Sequence, residues 1–420
     1  MSDNQQVDLV IAGGGVIGMA IAWRARQRGM SVTVLERDVT GQGTSRVAAG
    51  MLAPVVEVEF GDAGRRLLEL GLRSARMWPA FAAELETCTG EHVGLMATGT
   101  LLLARDEDDA RELERQLAFR QSLGLAVARL RPSEAREREP SLTPTVRLAL
   151  EAPDDHSVDP RLVLRALRRA CDVAGVQVRE RSPVARVELG DARADGAGLR
   201  PEGTGLHRDG DGARVGDAGG RVTGVTLEDG ERLAAAAVVL AAGPWSEQID
   251  GLPPDARVPV RPVKGQLLRL RDPAGPGLLR RVVRFRDGYL VPREDGRYVL
   301  GATVEERGFE LAPTAGGVYE LLRDAHELVP GVSELEIEEL SVGLRPGTPD
   351  NGPAIGRGAV DGLIWATGHY RNGILLAPLT AELVVSLLAG GREGEEAGSK
   401  GDPILAACAP ERFAPAEAVA

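Results

Sequence analysis

Residues 7–36 read VDLVIAGGGVIGMAIAWRARQRGMSVTVLE. Val7–Ala12 is a continuously apolar run, the pattern of a strand buried on both faces, and it breaks at Gly13–Gly14–Gly15. Residues 16–28 carry helical spacing and stop at Gly29, a residue free to take the left-handed conformation that ends helices. Residues 31–35 then predict a second strand. Strand, tight turn, helix and strand within roughly 30 residues make one mononucleotide-binding half of a Rossmann fold. Gly13, Gly15 and Gly18 fit G-x-G-x-x-G. The first allows the tight turn, the second lets backbone approach a pyrophosphate, and the third lets helix pack on strand. The helix N-terminus offers unpaired N–H groups and partial positive charge to phosphates. Glu36 ends the second strand roughly 20 residues beyond Gly15, where a carboxylate can accept both ribose hydroxyls and would repel a 2′-phosphate.

Beyond this unit, residues 61–90 and 107–123 show helical periodicity. Asp159–Pro160 reads as an N-cap followed by Pro at the first helical position, opening a helix to about Ala174. Residues 177–187, 221–227 and 233–240 predict strands, and 258–304 an antiparallel set. Residues 374–388 predict a closing helix, with Pro378 either in its first turn or kinking it. Residues 190–220 are rich in Gly, Asp, Ala and Arg and cannot build a core, which predicts a mobile hairpin insertion, and residues 390–420 read as a polar tail.

The expected class is α/β: a Rossmann-type dinucleotide-binding domain interleaved with an α+β domain on an antiparallel sheet, which the resemblance described below makes a FAD-binding domain and a substrate domain. The dinucleotide-binding parts are expected at 1–90, 151–250 and 341–395, the parts of the second domain at 91–150 and 251–340, and a tail at 396–420. A chain of 420 residues with 43% hydrophobic content suits two intertwined domains. Its net charge of −12 argues against nucleic-acid binding and anionic-membrane attraction. Cys88, Cys171 and Cys408 are scattered, odd in number and without zinc spacing, so neither a disulfide framework nor a metal site is expected. Residues 1–6 lack a basic segment, and the apolar run 233–242 is too short to span a bilayer. A cytoplasmic protein is expected.

After Glu36 comes GTSRVAAGML at 43–52, small and hydroxylated residues that suit either a chain running beside a long cofactor or an ordinary loop. With SPVARVEL at 182–189, AAGPWS at 241–246, PVKGQ at 262–266, YLVPREDGRYVLGAT at 289–303, GLRPGTPDNGPAIG at 343–356 and GHYRNGILLAP at 368–378, the chain resembles the D-amino-acid-oxidase superfamily. Within it, the chain is most similar to the glycine oxidases of thiazole (thiamine) biosynthesis. The resemblance implies FAD contacts at Val16, Ile17, Glu36, Arg37, Thr44, Ser45, Ala49, Gly50, Met51 and Val184. His369, Tyr370, Arg371, Asn372, Gly373, Ile374 and Leu375 would line the flavin. It also implies a substrate carboxylate held by Arg345 with Tyr289 and Arg371 nearby, and a homotetramer. Relatives with covalent flavin use a late cysteine; none lies between Cys171 and Cys408, so the FAD would be non-covalent.

The chemistry implied is oxidative deamination of glycine, sarcosine or a small D-amino acid, by hydride transfer from Cα to flavin N5. Dioxygen would be the acceptor and hydrogen peroxide a product. A dehydrogenase passing electrons to another acceptor is the alternative. Arginine supplies a planar fork for a carboxylate and Tyr289 a hydroxyl donor. In so arginine-rich a chain, Arg345 could instead be a structural ion-pair partner, and Tyr289 a core tyrosine. His369 is expected to pack or hydrogen-bond rather than act as base, Lys264 to be structural, and Trp245 to pack behind the flavin domain. Val304 and Asp287 fall in the variable pocket wall.

Overall fold

The computed structural model describes residues 6–190, 220–390 and 403–414. The expected hairpin insertion lies almost wholly outside them. One sheet runs in the order Ala354–Arg357, Leu363–Thr367, Arg232–Leu240, Val7–Ala12, Val32–Leu35, Gln177–Arg179. Its first pair is antiparallel and the others parallel. Val7–Ala12 pairs with Val32–Leu35 on one side and with Arg232–Leu240 on the other. The chain order therefore reverses at the first strand, and in open α/β sheets the crevice beyond the carboxyl ends at such a point receives ligands.

Helix Val16–Gln27 packs against Pro160–Ala174 and Gly373–Gly390, and Asp62–Thr89 packs on the latter two. Trp23, Phe81 and Trp78 meet edge to face at 5.6 and 5.4 Å, contacts worth about 0.5–1.5 kcal/mol each beyond area burial. Asp159 caps its helix by accepting from Arg161 N at 2.9 Å, and Gly175 ends it at φ 77°. The helix Gly373–Gly390 is long and apolar enough to cross a membrane, but most of it is buried within this core. Pro378 lies past its first turn. The nearby Leu375 carbonyl is satisfied from outside the helix, by Ser74 Oγ at 2.6 Å and Trp78 Nε1 at 2.9 Å.

Arg221–Leu227, paired with Arg232–Leu240, and Val184–Gly190, paired with Arg221–Leu227, bring the first sheet to eight strands. The second sheet also has eight, ordered Glu336–Gly347, Arg261–Arg271, Arg297–Gly301, Gly288–Pro292, Val282–Phe285, Thr100–Ala104, Leu148–Ala152, Ala128–Leu130. Residues 258–304 are antiparallel within it, but Val282–Phe285 pairs in parallel with Thr100–Ala104, so the sheet is mixed. Strand Glu336–Gly347 runs across the expected break at 340/341 and pairs along its length with Arg261–Arg271. The expected strand over 177–187 is two strands, Gln177–Arg179 and Val184–Gly190, because Arg181 (φ 52°) and Pro183 turn the chain. Residues 403–413 also depart from a free tail: Ile404, Leu405 and Cys408 are buried on the first core, and Arg412 pairs with Asp350 at 2.9 Å. Apolar groups at i, i+1 and i+4 put one face of that short helix inward.

Candidate active site

A cavity of about 1330 Å³ runs from the carboxyl edge of the first sheet to the face of the second. That exceeds an ordinary small-molecule site. At one end the Gly-rich turn is fixed by the fold. A Cβ on Gly13 (φ 117°) would overlap the Ala241 carbonyl, and one on Gly18 would overlap the Gly13 carbonyl. Gly18 does not line the cavity; its lack of side chain serves helix–strand contact. Gly13, Gly15, Val16 and Ile17 do line it. Gly15 is extended (φ −75°), and an added Cβ would meet only Ser45 Oγ, at 3.2 Å. The open space at Gly15 is therefore on the cavity side. Glu36 accepts from Gly14 N at 2.7 Å and Asp38 N at 3.0 Å, which aims its carboxylate into the cavity.

Along the middle, Ser45 Oγ accepts from Val16 N at 3.0 Å and Thr44 Oγ1 donates to Leu344 O at 2.7 Å, tying this loop to both sheets. Ala49, Gly50 and Met51 continue the wall; Gly50 (φ 80°) passes so close to the Val158 carbonyl that no Cβ fits. Val184 lines the far end beside Trp245, over whose ring Arg37 lies at 3.6 Å. Trp245 thus faces the cavity rather than packing behind the domain, since its 3-10 turn starts at the strand end where the cavity opens.

His369, Tyr370, Arg371, Asn372, Gly373 and Ile374 line the opposite wall, while Leu375 points into the core. Leu376 N bonds Asn372 O at 2.8 Å, which makes Asn372 the residue that starts the helix. The first-turn N–H groups of Gly373, Ile374 and Leu375 have no carbonyl four residues back within the helix. Such donors favour negative charge placed before them. His369 is buried and its Nε2 meets Thr380 Oγ1 at 3.0 Å; burial pushes its pKa down to about 3 from an ordinary 6.5. It stays neutral and is no base at physiological pH. Between these values the unfolded chain takes up a proton that the folded one refuses, so this contribution is complete above 6.5 and lost as pH falls toward 3. Thermal midpoints measured from pH 7 to 4 should fall less steeply for His369→Gln than for the unaltered protein; parallel curves would contradict the assignment.

At the second sheet, Arg345 and Tyr289 face each other across the cavity end. Arg345 Nη1 donates to Lys264 O at 3.2 Å and Thr303 O at 3.1 Å, and its guanidinium is close enough to Tyr289 for the two to interact electrostatically. Burial lowers the Arg345 pKa, and burial raises that of Tyr289 against the opposing pull of Arg345, Arg284 and Arg371. The result is a guanidinium cation beside a neutral hydroxyl, a pair suited to a carboxylate. Two glycines make room: a Cβ on Gly265 would sit 2.5 Å from Arg345 Nη2, and one on Gly301 would sit 2.7 Å from the Tyr289 hydroxyl. Gly265→Ala should therefore displace the fork and raise KM for the substrate roughly tenfold, about 1.4 kcal/mol, with FAD content unchanged. Unaltered KM would mean the fork tolerates the shift.

Arg371 is exposed at the wall, beside the Tyr370 ring at 5.0 Å. Its Nη1 lies 4.0 Å from Glu57 Oε2, and the other Glu57 oxygen contacts Arg284. Glu57 and Arg284 escape the sequence reading: neither sits in a recognisable motif, and only the pairing of Arg284 with Tyr289 across the hairpin signals that both share a face. Val304 and Asp287 line the cavity at its rim. Lys264 does not line it; its Nζ donates to Ala312 O at 2.7 Å and pairs with Glu305 at 3.5 Å, pinning the loop after residue 303.

Comparison with known proteins places this architecture. Residues 8–387 match the family described as DAO, FAD dependent oxidoreductase. Glycine oxidase of Geobacillus kaustophilus (strain HTA426) is 35% identical over 384 residues, 91% of this chain and 92% of that protein. The bifunctional protein ThiO/ThiG of Synechocystis sp. is 35% identical over 411 residues, 97% of this chain but 54% of that protein. The chain thus spans about half the length of the bifunctional relatives it matches. The crystal structure of glycine oxidase from Geobacillus kaustophilus superposes with a TM-score of 0.78 at 33% identity, covering 93% of this chain and 96% of that one. The glycine-rich turn, the aimed Glu36 and the long cavity are accounted for together: the chain belongs to the family of FAD-dependent oxidoreductases, and FAD is its cofactor.

Proposed function

We propose that the protein is a FAD-dependent amino-acid oxidase that deaminates glycine or another small amino acid, sarcosine and small D-amino acids included, and that it serves thiazole formation in thiamine biosynthesis. The observation that carries this reading is the Arg345–Tyr289 pair, a half-buried fork and hydroxyl at the end of the same cavity whose other end is the phosphate turn.

In this reading, Gly13, Gly15, Val16 and Ile17 hold the pyrophosphate, and Glu36 the adenosine ribose. Arg37, Thr44, Ser45, Ala49, Gly50, Met51 and Val184 shape the rest of the cradle. Bound FAD supplies the acceptor for a hydride equivalent. Arg345 grips the α-carboxylate and Tyr289 adds a hydrogen bond, so the Cα–H is held at one orientation, which is where proximity gains rate. The first-turn N–H groups of Gly373 to Leu375 stabilise negative charge that develops during the reaction. His369 keeps the wall neutral through Thr380, and no side chain acts as base; the amine gives up its proton on entering a site lined with guanidinium groups. With glycine the balance is glycine, dioxygen and water giving glyoxylate, ammonia and hydrogen peroxide.

An anaerobic substrate panel on the FAD-loaded protein, read by flavin bleaching, tests the substrate class without reference to the acceptor. Glycine or a near relative should bleach it, and admitted air should restore the colour with one peroxide per turnover. Bleaching without peroxide would move the reading to a dehydrogenase. No bleaching by any small amino acid would remove the amino-acid reading.

A further inference from the structure

We propose that Arg269 and Arg293, buried behind the loop that carries Ala49 and Gly50, are positioning residues for bound FAD: they hold that loop by its carbonyls, turn the Gly50 N–H toward the cavity and place unmatched positive charge behind the cavity wall. The inference rests on the FAD assignment and not on which amino acid is oxidised.

Strand alternation brings both arginines to this loop. Arg269 follows Leu267 by two residues on strand Arg261–Arg271, and Arg293 follows Val291 by the same step at the end of Gly288–Pro292, so each arginine leaves the sheet on the face of its apolar neighbour. Leu267, Val291 and Val299 are the residues on which Ala49 packs. Arg293 Nη2 donates to Ala49 O at 2.5 Å, and Arg269 Nη2 donates to Arg46 O at 2.7 Å. Ala49 and Gly50 line the cavity while neither arginine does, so the loop is gripped from its far side. A trans peptide points its N–H opposite its carbonyl. With the Ala49 carbonyl turned to Arg293, the Gly50 N–H is directed the other way. The next carbonyl is fixed as well, since Gly50 O accepts from Val158 N at 2.8 Å. Among the described residues no backbone carbonyl accepts the Gly50 N–H, which is left for whatever occupies the cavity.

Holding carbonyls does not by itself require cations, and here the charge is costly. Arg269 is 4% exposed and Arg293 5%, and the Nε of each has no hydrogen-bond partner. Carboxylates nearby are shared out. Asp159 lies 3.7 Å from Arg293 and 3.4 Å from Arg297, which also holds Asp295 at 2.7 Å. Glu339 pairs with Arg161 at 2.8 Å and lies 3.7 Å from Arg46. Arg269 pairs with no carboxylate among the described residues. Burial, with the repulsion of Arg161 and Arg293, pulls the Arg269 pKa down to about 10, and burial does the same to Arg293; both stay charged at neutral pH. A buried cation without full pairing destabilises the fold, and a neutral donor would satisfy a backbone carbonyl at lower cost. What the cations add is positive potential at the cavity wall. FAD that accepts a hydride equivalent gains one negative charge, and that potential favours it.

The test compares FAD-loaded Arg269→Gln and Arg269→Lys with the unaltered protein, each equilibrated anaerobically with redox dyes of known potential. Arg269→Gln should shift the balance between oxidised and reduced FAD tenfold or more toward the oxidised form, about 30 mV for a two-electron couple. Arg269→Lys keeps the charge and should stay within about threefold of the unaltered protein. A role confined to packing would lower the thermal midpoint of both variants and leave the potential where it was. An Arg269→Gln potential equal to that of the unaltered protein therefore overturns the inference, as does an Arg269→Lys potential equal to that of Arg269→Gln. The N–H orientation is read on the unaltered chain and so does not depend on a variant folding: hydrogen exchange at Gly50 should be tenfold or more slower with FAD bound than in FAD-stripped protein. Equal rates overturn the inference even if neither variant accumulates. None of these readouts involves an amino acid. Their failure leaves the oxidase reading standing, and a protein inert to every amino acid could still show both effects.

Discussion

Replacing Arg345 by alanine is expected to raise KM for the amino acid steeply while the protein remains yellow. The fork stands on strand Glu336–Gly347 in the second sheet, across the cavity from the phosphate turn on the first. Its loss therefore leaves the cofactor cradle intact. Truncating one partner of a buried charge-assisted contact costs roughly 2–5 kcal/mol, which corresponds to about 30-fold to several thousand-fold in kcat/KM. Where the loss appears separates two roles. If Arg345 only holds the carboxylate, KM rises and kcat at saturation changes less. If it also orients the Cα–H, both parameters suffer. Arg345→Lys keeps the charge without the fork and should recover only part of the loss, because a single ammonium cannot repeat a planar two-point contact. The backbone carbonyls of Lys264 and Thr303 lose a donor in the alanine variant, so a modest fall in thermal midpoint is expected with it. Michaelis constants for glycine equal to those of the unaltered protein would remove Arg345 from the site.

What the sequence made legible was what is local. The unit from Val7 to Glu36 is specified by a strand run, three glycines and a helix within one crossover, and each of those signals acts over a few residues. The helices over 61–90, 107–123 and after Asp159–Pro160 were readable for the same reason: caps and periodicity are short-range. The parallel pairing of Val282–Phe285 with Thr100–Ala104 was not, because nothing in either strand encodes a partner some 180 residues away. The buried segment around Ile404, Leu405 and Cys408 was obscured by the polar residues that flank it. Motif-borne positions such as Glu36 and Arg345 could be singled out from their neighbours in the chain. Glu57 and Arg284 could not, since their significance arises only when the loop after Met51–Leu52 meets a hairpin of the second sheet. Alternation in a strand says which residues share a face; it does not say that the face will border a cavity. Trp245 illustrates the same limit, as an aromatic after a buried strand reads as packing until the cavity beside it is seen.

Gly15→Val should yield a folded but colourless protein. Gly15 is already in extended backbone, so valine can adopt its dihedrals, and the new Cβ would meet only Ser45 Oγ at 3.2 Å. Valine is a poorer helix cap than glycine, a penalty of about 1 kcal/mol, small enough for the domain to survive. The branched methyls, however, project into the cavity at the place where the helix N-terminus offers its N–H groups. A phosphate held there must approach the backbone closely, and the partial charge of the helix end falls off within the first turn. Steric exclusion at that point removes the anchor for the whole cofactor. The comparison that makes the test decisive is Gly18→Ala, three residues on. There a single methyl would overlap the Gly13 carbonyl and press on Ile11 Cγ2 at 3.3 Å, with no flexible group to yield. That variant should lose thermal stability by several degrees or fail to accumulate, whereas Gly15→Val should keep the circular dichroism and near-normal thermal midpoint of apoprotein prepared from the unaltered chain. Flavin absorbance per polypeptide and midpoint, measured side by side, distinguish a cofactor-facing glycine from a packing glycine. A fully yellow Gly15→Val protein would move the pyrophosphate away from this turn, and with it the orientation that sets Glu36 at one end of the cavity and Arg345 at the other.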